Sequence, residues 1–335
     1  MHTHMAASMA LSRRSALFGG LGAAGLTELS MPVQAANPMN FDDPKDNLEG
    51  FGKLWFTLGD EPVFSGYEGV QFAIIGKKRA KPLFGFTGFG NMQAKILNNG
   101  HLQIRGKETS FYTDLATGDI LESWFNPFTE ENTKPLNMLN DRVRGKLGLT
   151  MPKFAMSLNE DEETTMSEAA IIGNAEDPPF VLPWRRVGHQ YLMSWEYGHE
   201  YTNPVTPEGW PKASTGKMIN PSEHFVVYTP VAEMNDRNRP WVTMLGGFFR
   251  QGPWWPWMMM GGSGIDGVLT GRMHSYRITG TIDDIPKKVL AYTEKIRPDL
   301  LEPADDWDDG GPRETWHAYV DRVPPENPDY KKEDH

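Results

Sequence analysis

The chain has 335 residues, a formal net charge of −11, no cysteine, 34 glycines and 26 prolines, together with 11 Trp, 17 Phe and 10 Tyr. Without cysteine there is no disulfide framework, thiol nucleophile, thiolate metal site, iron–sulfur cluster or c-type haem attachment. The acidic balance argues against nucleic acid or an anionic membrane surface as a partner. The aromatic, Gly- and Pro-rich composition points to a turn-rich β protein.

In chain order, Ser12-Arg13-Arg14-Ser15-Ala16-Leu17-Phe18 places a twin arginine before a Gly/Ala-rich apolar run, and Val33-Gln34-Ala35 supplies a small-residue cleavage signature ahead of Ala36. This layout predicts a twin-arginine signal peptide over 1–35, the twin-arginine translocase as an export partner and a periplasmic, soluble mature chain. The apolar run is too short to span a bilayer, and Glu28 follows it. No other stretch is a candidate span, so no membrane-spanning segment is expected.

Residues 36–335 read as a single β-rich domain with a proline-rich C-terminal tail from 323. A linker and first short helix occupy 36–50. Strand patterns follow at 67–75, 83–89 and 92–97, then Asn98-Asn99-Gly100 signals a hairpin before 101–105. A second hairpin is expected from 109–114 and 120–125 around Ala116-Thr117-Gly118-Asp119. Residues 155–178 are acidic and read as a solvated loop or insert. Strands resume at 188–201, 224–229, 241–249 and 271–278. A helix is predicted over 283–297, with Asp283 or Asp284 as N-cap, Pro286 in its first turn and Val289, Tyr292, Thr293 and Ile296 at helical spacing. The expected fold is mainly β: a large antiparallel barrel or sandwich, calycin-like among the options, with a few short helices.

Two stretches carry the chemistry. In Gly252-Pro253-Trp254-Trp255-Pro256-Trp257-Met258-Met259-Met260, two prolines deny both a regular helix and a central strand, so a large apolar surface rides on irregular backbone. Such a surface belongs in a core, a ligand pocket or an interface. In 189–201, strand alternation puts His189, Tyr191, Met193, Trp195, Tyr197, His199 and Tyr201 on one face and Glu196 and Glu200 on the other. The first face suits a cavity wall; the alternative is a half-buried strand with satisfied polar tips. A metal site within this strand fails on geometry, since His189 and His199 would stand roughly 33 Å apart. Nor do residues 36–335 contain His-Glu-x-x-His or a His-x-His pair, which leaves a site assembled across strands from His199, His224 and His274 as the one metal option, without a motif to support it. Dinucleotide and P-loop motifs are missing too, so no metal or other cofactor is expected, and without a nucleophile elbow no serine nucleophile is expected.

Catalysis would then fall to acid–base groups, for which His199, Glu196, His224 and His274 are the candidates. Trp254, Trp255, Trp257, Met258, Arg250, Trp195 and Tyr197 are the candidate substrate-binding residues. Arg250 could orient a substrate oxygen; its alternatives are a surface ion pair or a cation–π contact with Trp254. Asn126 and Asp141 read as turn-closing residues.

Three patterns together resemble the exported bacterial family catalogued as domain of unknown function 1838. They are Tyr112-Thr113-Asp114-Leu115-Ala116-Thr117-Gly118-Asp119-Ile120-Leu121-Glu122-Ser123-Trp124-Phe125-Asn126-Pro127-Phe128-Thr129, then Leu139-Asn140-Asp141, then Gly252-Pro253-Trp254-Trp255-Pro256-Trp257-Met258 with Gly261. Glu314-Thr315-Trp316 is similar to the family's closing pattern. The similarity covers about residues 40–322 and departs from the family around 155–178. It implies a fold group and export, and no catalytic residues.

The expected function is a periplasmic, cofactor-independent enzyme of lyase, isomerase or hydrolase type, acting on a hydrophobic or aromatic small molecule in a pocket lined by aromatic and Met side chains. The alternatives are a non-catalytic carrier of such a molecule and a docking protein that uses its tryptophan loop.

Overall fold

The computed structural model describes residues 37–151, 178–198, 200–304, 307 and 315–331, without the side chains at 140–142 and 197. The stretch 1–35 expected to be a signal peptide, the greater part of the acidic stretch 155–178 and His199 lie outside these residues. Helix α1 (Pro44–Trp55) leads into strands β1 (Val63–Ile75), β2 (Lys81–Ile96) and β3 (Leu102–Thr113). The two-stranded ladder of β4 (Trp124–Asn126) and β5 (Glu131–Thr133) precedes β6 (Met138–Leu147). Then come β7 (Trp184–Val187), β8 (Gln190–Gly198), the short pair β9 (Tyr201–Thr202) and β10 (Met218–Ile219), and β11 (Ser222–Pro230). Helix α2 (Val231–Asn235), β12 (Met244–Gly252), β13 (Gly267–Arg277), α3 (Lys287–Ile296) and α4 (Thr315–Arg322) complete the order.

Nine strands form one antiparallel sheet in the order β6-β3-β2-β1-β13-β12-β11-β8-β7. The hairpin at 98–100 forms, with Gly100 at φ +81. The strand patterns at 83–89 and 92–97 merge into β2. The second hairpin shrinks to one bridge, Thr113 to Ile120, because the chain leaves the sheet to build the β4–β5 ladder. The helix expected over 283–297 is α3, but Asp284 does not cap it. Its carboxylate instead accepts from the N–H groups of Ile278, Thr279 and Gly280. Helices α2 and α4 carry no strong sequence signal.

The sheet is not a closed barrel, since β6 and β7 are unpaired with each other. If flat, it would hold those edges roughly 38 Å apart. Yet the chain just beyond them meets: Met151 donates to the Pro178 carbonyl at 2.8 Å and Phe180 to Leu149 at 2.9 Å. The sheet is therefore strongly curled, and its two flanks face each other across a shared interior, as in a sandwich. A separate layer covers the outer face of β1–β3, where α3 and the chain after it seal Phe64, Phe89 and Phe111 under Ile285, Val289 and Leu300.

Two cores occupy the interior. At one end α1 inserts Leu48, Phe51 and Leu54 among Ala94, Leu102, Leu147, Met193, Val227 and Met244. Asp43 caps its N-terminus and Pro44 begins it. Arg277, wholly buried on β13, donates to the carbonyls of Lys53, Leu54 and Phe56 at its C-terminal end. At the other end the tryptophan loop packs with β2, β3, β13, α4 and residues 205–219. The C-terminal segment docks here rather than trailing away. Glu326 accepts from the Lys212 and Ala213 N–H groups, Trp210 donates to the Pro324 carbonyl, and Tyr330 lies on the Trp210 ring. Among the described residues no helix is long and apolar enough to cross a membrane.

Candidate functional site

The tryptophan loop is core first. Trp254, Trp255, Trp257 and Met258 are all buried. Trp257 is hemmed in by Phe84, Tyr112 and Trp124, with ring centroids 5.2, 4.7 and 5.6 Å away. Asn126, wholly buried, pins the loop by donating to the Met258 carbonyl at 2.6 Å, and accepts from Phe128 to close its own turn. Of the three loop tryptophans, Trp255 borders the site, through Arg250.

Strand alternation sorts the remaining candidates. Tyr191, Met193 and Trp195 face the interior, as the odd-numbered face of β8 predicts. The Tyr197 side chain is outside the description; its backbone pairs with Glu223. Glu196 lies on the opposite face, exposed, beside His224 on β11. His224 is committed there to Ser194 Oγ at 3.0 Å and lies against the Phe249 ring. His274 also faces outward, from β13, in a groove with Glu68, Arg272 and Tyr276. The structure brings Glu196 and His224 side by side but away from the aromatic interior, and it sets His274 apart from both. Among the described residues no three His, Asp or Glu side chains stand close enough to share a metal ion.

The interior holds a different set of polar groups, on the face of each strand that also carries the core. On β12, Arg250 shares its face with Met244 and Phe248. Its Nε donates to Glu223 Oε1 at 3.1 Å, and the guanidinium lies over Trp255 at 4.5 Å and Trp316 at 5.6 Å. On β11, Glu223 alternates with Phe225 and Val227. On β3, Glu108 alternates with Leu102, Ile104, Ser110 and Tyr112, at a bulge where the β3–β6 register shifts between Glu108 and Ser110. Bulges of this kind re-aim side chains. The Tyr67 hydroxyl reaches across β2 to Ser110 Oγ and the Thr109 carbonyl, and lies within hydrogen-bonding reach of the Glu108 carboxyl. A side chain at Gly88 would begin 2.6 Å from that hydroxyl, so glycine leaves the path open.

Exposure locates the space between the two cores. Trp55, Tyr67, Glu108, Trp195, Glu223, Phe225, Phe248 and Arg250 all face inward, yet each keeps part of its surface accessible. Residues at either end, such as Leu102 and Trp257, do not. Glu108 in particular sits deep in the protein mass and still presents accessible surface. Partial exposure on the inward face, between two closed cores, marks an aromatic-walled space that we read as a cavity; Trp55 meets Phe225 edge-on at 5.4 Å, and Phe225 meets Phe248 at 4.6 Å.

The two carboxyl groups have different neighbours. Burial pushes the Glu108 pKa up, and the negative charge of Glu223 pushes it further, against a lowering contribution from Tyr67. Glu223 has the Arg250 guanidinium directly beside it. Tyr112 is raised well above the ordinary phenol range by burial. Its hydroxyl and the Trp257 indole nitrogen lack a well-formed hydrogen bond among the described residues, although the indole lies near enough to favour the ionised phenol.

Sequence reasoning found Arg250 and Trp195 but missed Glu108, Glu223 and Tyr67. The available signal was a lone acid at a core-parity position, Glu223 beside Phe225 and Val227, and Glu108 between Ile104 and Tyr112.

Comparison with known proteins gives a single family. A family model described as protein of unknown function (DUF1838) matches residues 60–322, and the chain belongs to that family. No curated protein matches it.

Proposed function

We propose that this DUF1838 protein is an exported, periplasmic enzyme that acts without a redox cofactor on a hydrophobic or aromatic small molecule held in the internal cavity. Its reaction is of lyase, isomerase or hydrolase type. Export rests on the twin-arginine pattern of the N-terminus. The observation that carries the enzymatic reading is the pair of inward carboxyl groups in unlike environments. Glu108 is held toward its protonated form by burial and by Glu223, while Glu223 pairs with the Arg250 guanidinium. A carboxyl raised in this way is suited to give up a proton to a bound substrate as a general acid. Glu108 supplies a proton to a substrate oxygen or carbon, and Tyr67 orients the Glu108 carboxyl. The aromatic walls exclude water and bind the apolar body.

Incubation of the purified protein and its Glu108→Gln variant with a panel of apolar esters, enol ethers and unsaturated carbonyl compounds, followed by product chromatography, tests this reading. Turnover by the parent and a loss of about 100-fold or more in the variant are expected. Equal turnover by both proteins would remove Glu108 from the chemistry. A ligand that binds in the cavity and is recovered unchanged, with no turnover across the panel, would make the protein a carrier.

A further inference from the structure

Arg250 uses a small part of its hydrogen-bonding capacity. A guanidinium carries five N–H donors. Among the described residues one acceptor engages it, Glu223 Oε1, and that acceptor takes Nε. Among the described residues the Nη1 and Nη2 edge has no acceptor, although the side chain is only 11% exposed. A guanidinium this enclosed ordinarily satisfies its donors within the protein, as Arg277 does against the carbonyls of Lys53, Leu54, Phe56 and Val242.

The surroundings keep the free edge clear and planar. Trp255 and Trp316 form the platform under the guanidinium. Gly252, two residues on and on the same face of β12, leaves room beside it: a side chain there would begin 3.1 Å from Nη1 and 3.4 Å from Nη2. This glycine opens the Gly252-Pro253-Trp254-Trp255 run, which gives the motif a task beyond packing. Phe248 and Phe225, with centroids 4.6 Å apart, continue the wall toward Glu108.

We propose that the Nη1–Nη2 edge of Arg250 is the anchor for a carboxylate, and that the ligand of the cavity is a small carboxylic acid with an apolar body. The geometry is that of an end-on, two-point guanidinium–carboxylate pair, which lysine cannot reproduce. The apolar body lies along Phe248 and Phe225. This inference rests on the cavity of the proposed function and names the substrate class for it.

Calorimetric titration of the purified protein with benzoate, 2-naphthoate and octanoate, each against its neutral primary amide, tests the anchor. At least one acid is expected to bind about tenfold more tightly than its amide, as a charge-assisted two-point contact requires. Arg250→Lys keeps the charge and loses the fork, and is expected to abolish that preference. Gly252→Ala is expected to weaken acid binding by crowding the same edge. Circular dichroism checks that each variant is folded; if Arg250→Lys is not, the Gly252→Ala titration carries the test. Equal binding of acid and amide, no binding by any acid of the panel, or an unchanged preference in folded Arg250→Lys overturns the proposal. Glu108→Gln is expected to keep the acid preference. A variant that retains both the preference and turnover defeats the catalytic role of Glu108 while leaving the anchor standing.

Discussion

Nη2 of Arg277 stands 2.7 Å from the carbonyl oxygen of Lys53, joining β13 to the end of α1 across 224 residues of sequence. The last carbonyls of a helix have no partners of their own, and a cation at that end also meets the favourable pole of the helix dipole. Burial lowers the Arg277 pKa to about 9, so the group stays charged at neutral pH. Replacement by Met would leave several buried carbonyls unsatisfied at about 1–3 kcal/mol each. Arg277→Met is therefore expected to lose roughly 3 kcal/mol or more, measured as a shift in the urea midpoint with an unchanged slope.

The raised pKa of Glu108 makes a prediction about stability and pH. A carboxyl whose folded pKa lies above its unfolded value contributes stability that is complete below the ordinary Glu range. That contribution is lost as pH rises through the folded value. Glu108→Gln mimics the protonated side chain and removes this falling limb. Denaturation midpoints measured from pH 4 to pH 9 should decline more steeply for the parent than for the variant, and the variant should gain on the parent toward alkaline pH. Parallel curves would mean that Glu108 is not held protonated.

The residues that define the cavity show what the sequence could and could not disclose. Alternation along β8 put Trp195 on the inner face and Glu196 on the outer one, and both assignments follow from a period of two. On β3 the same period is hidden. Outer-face Lys107 and Gln103 are themselves covered, by contacts with the carbonyls of Asp299 and Trp307, so polar residues are buried on both sides and no amphipathic stripe marks the inner one. Glu108 reads there as part of a charged run, Arg105-Gly106-Lys107-Glu108. The covering chain lies nearly two hundred residues away, and no local pattern encodes it. His224 and His274 are the opposite case. Their residue type suggested chemistry, while their strand parity places them outside.

Tyr112 and Trp257 touch at 4.7 Å and should respond very differently to substitution. The Tyr112 hydroxyl is buried without a well-formed hydrogen bond, so Tyr112→Phe removes an unsatisfied group and should change stability by less than about 1 kcal/mol, with either sign. Trp257→Ala opens a large cavity among Phe84, Tyr112 and Trp124 and should cost about 3–5 kcal/mol. Thermal or urea unfolding of the two variants checks the contrast.

Gly261 lies hard against the backbone of residues 211–214. A methyl group there would begin 2.2 Å from the Ser214 carbonyl oxygen, 2.5 Å from that of Pro211 and 2.8 Å from that of Lys212. Its own N–H donates to the Lys212 carbonyl at 2.6 Å. No side-chain rotation relieves such contacts. Gly261→Ala should destabilise by several kcal/mol, on the order of other overpacked sites, whereas Gly100→Ala, in open space at a turn, should show only the cost of its positive φ. Comparing the two variants by differential scanning calorimetry separates crowding from backbone strain.

The docking of residues 324–330 has a consequence beyond its own contacts. Glu326 and Asn327 hold residues 208–213, and Lys212 in turn holds Gly261 at the end of the tryptophan loop. Residues 326 and 327 thus steady the tryptophan loop at second hand, through a segment that touches both. Loosening that brace should be felt at a distance, as an unsettled tryptophan loop rather than as a local loss of order.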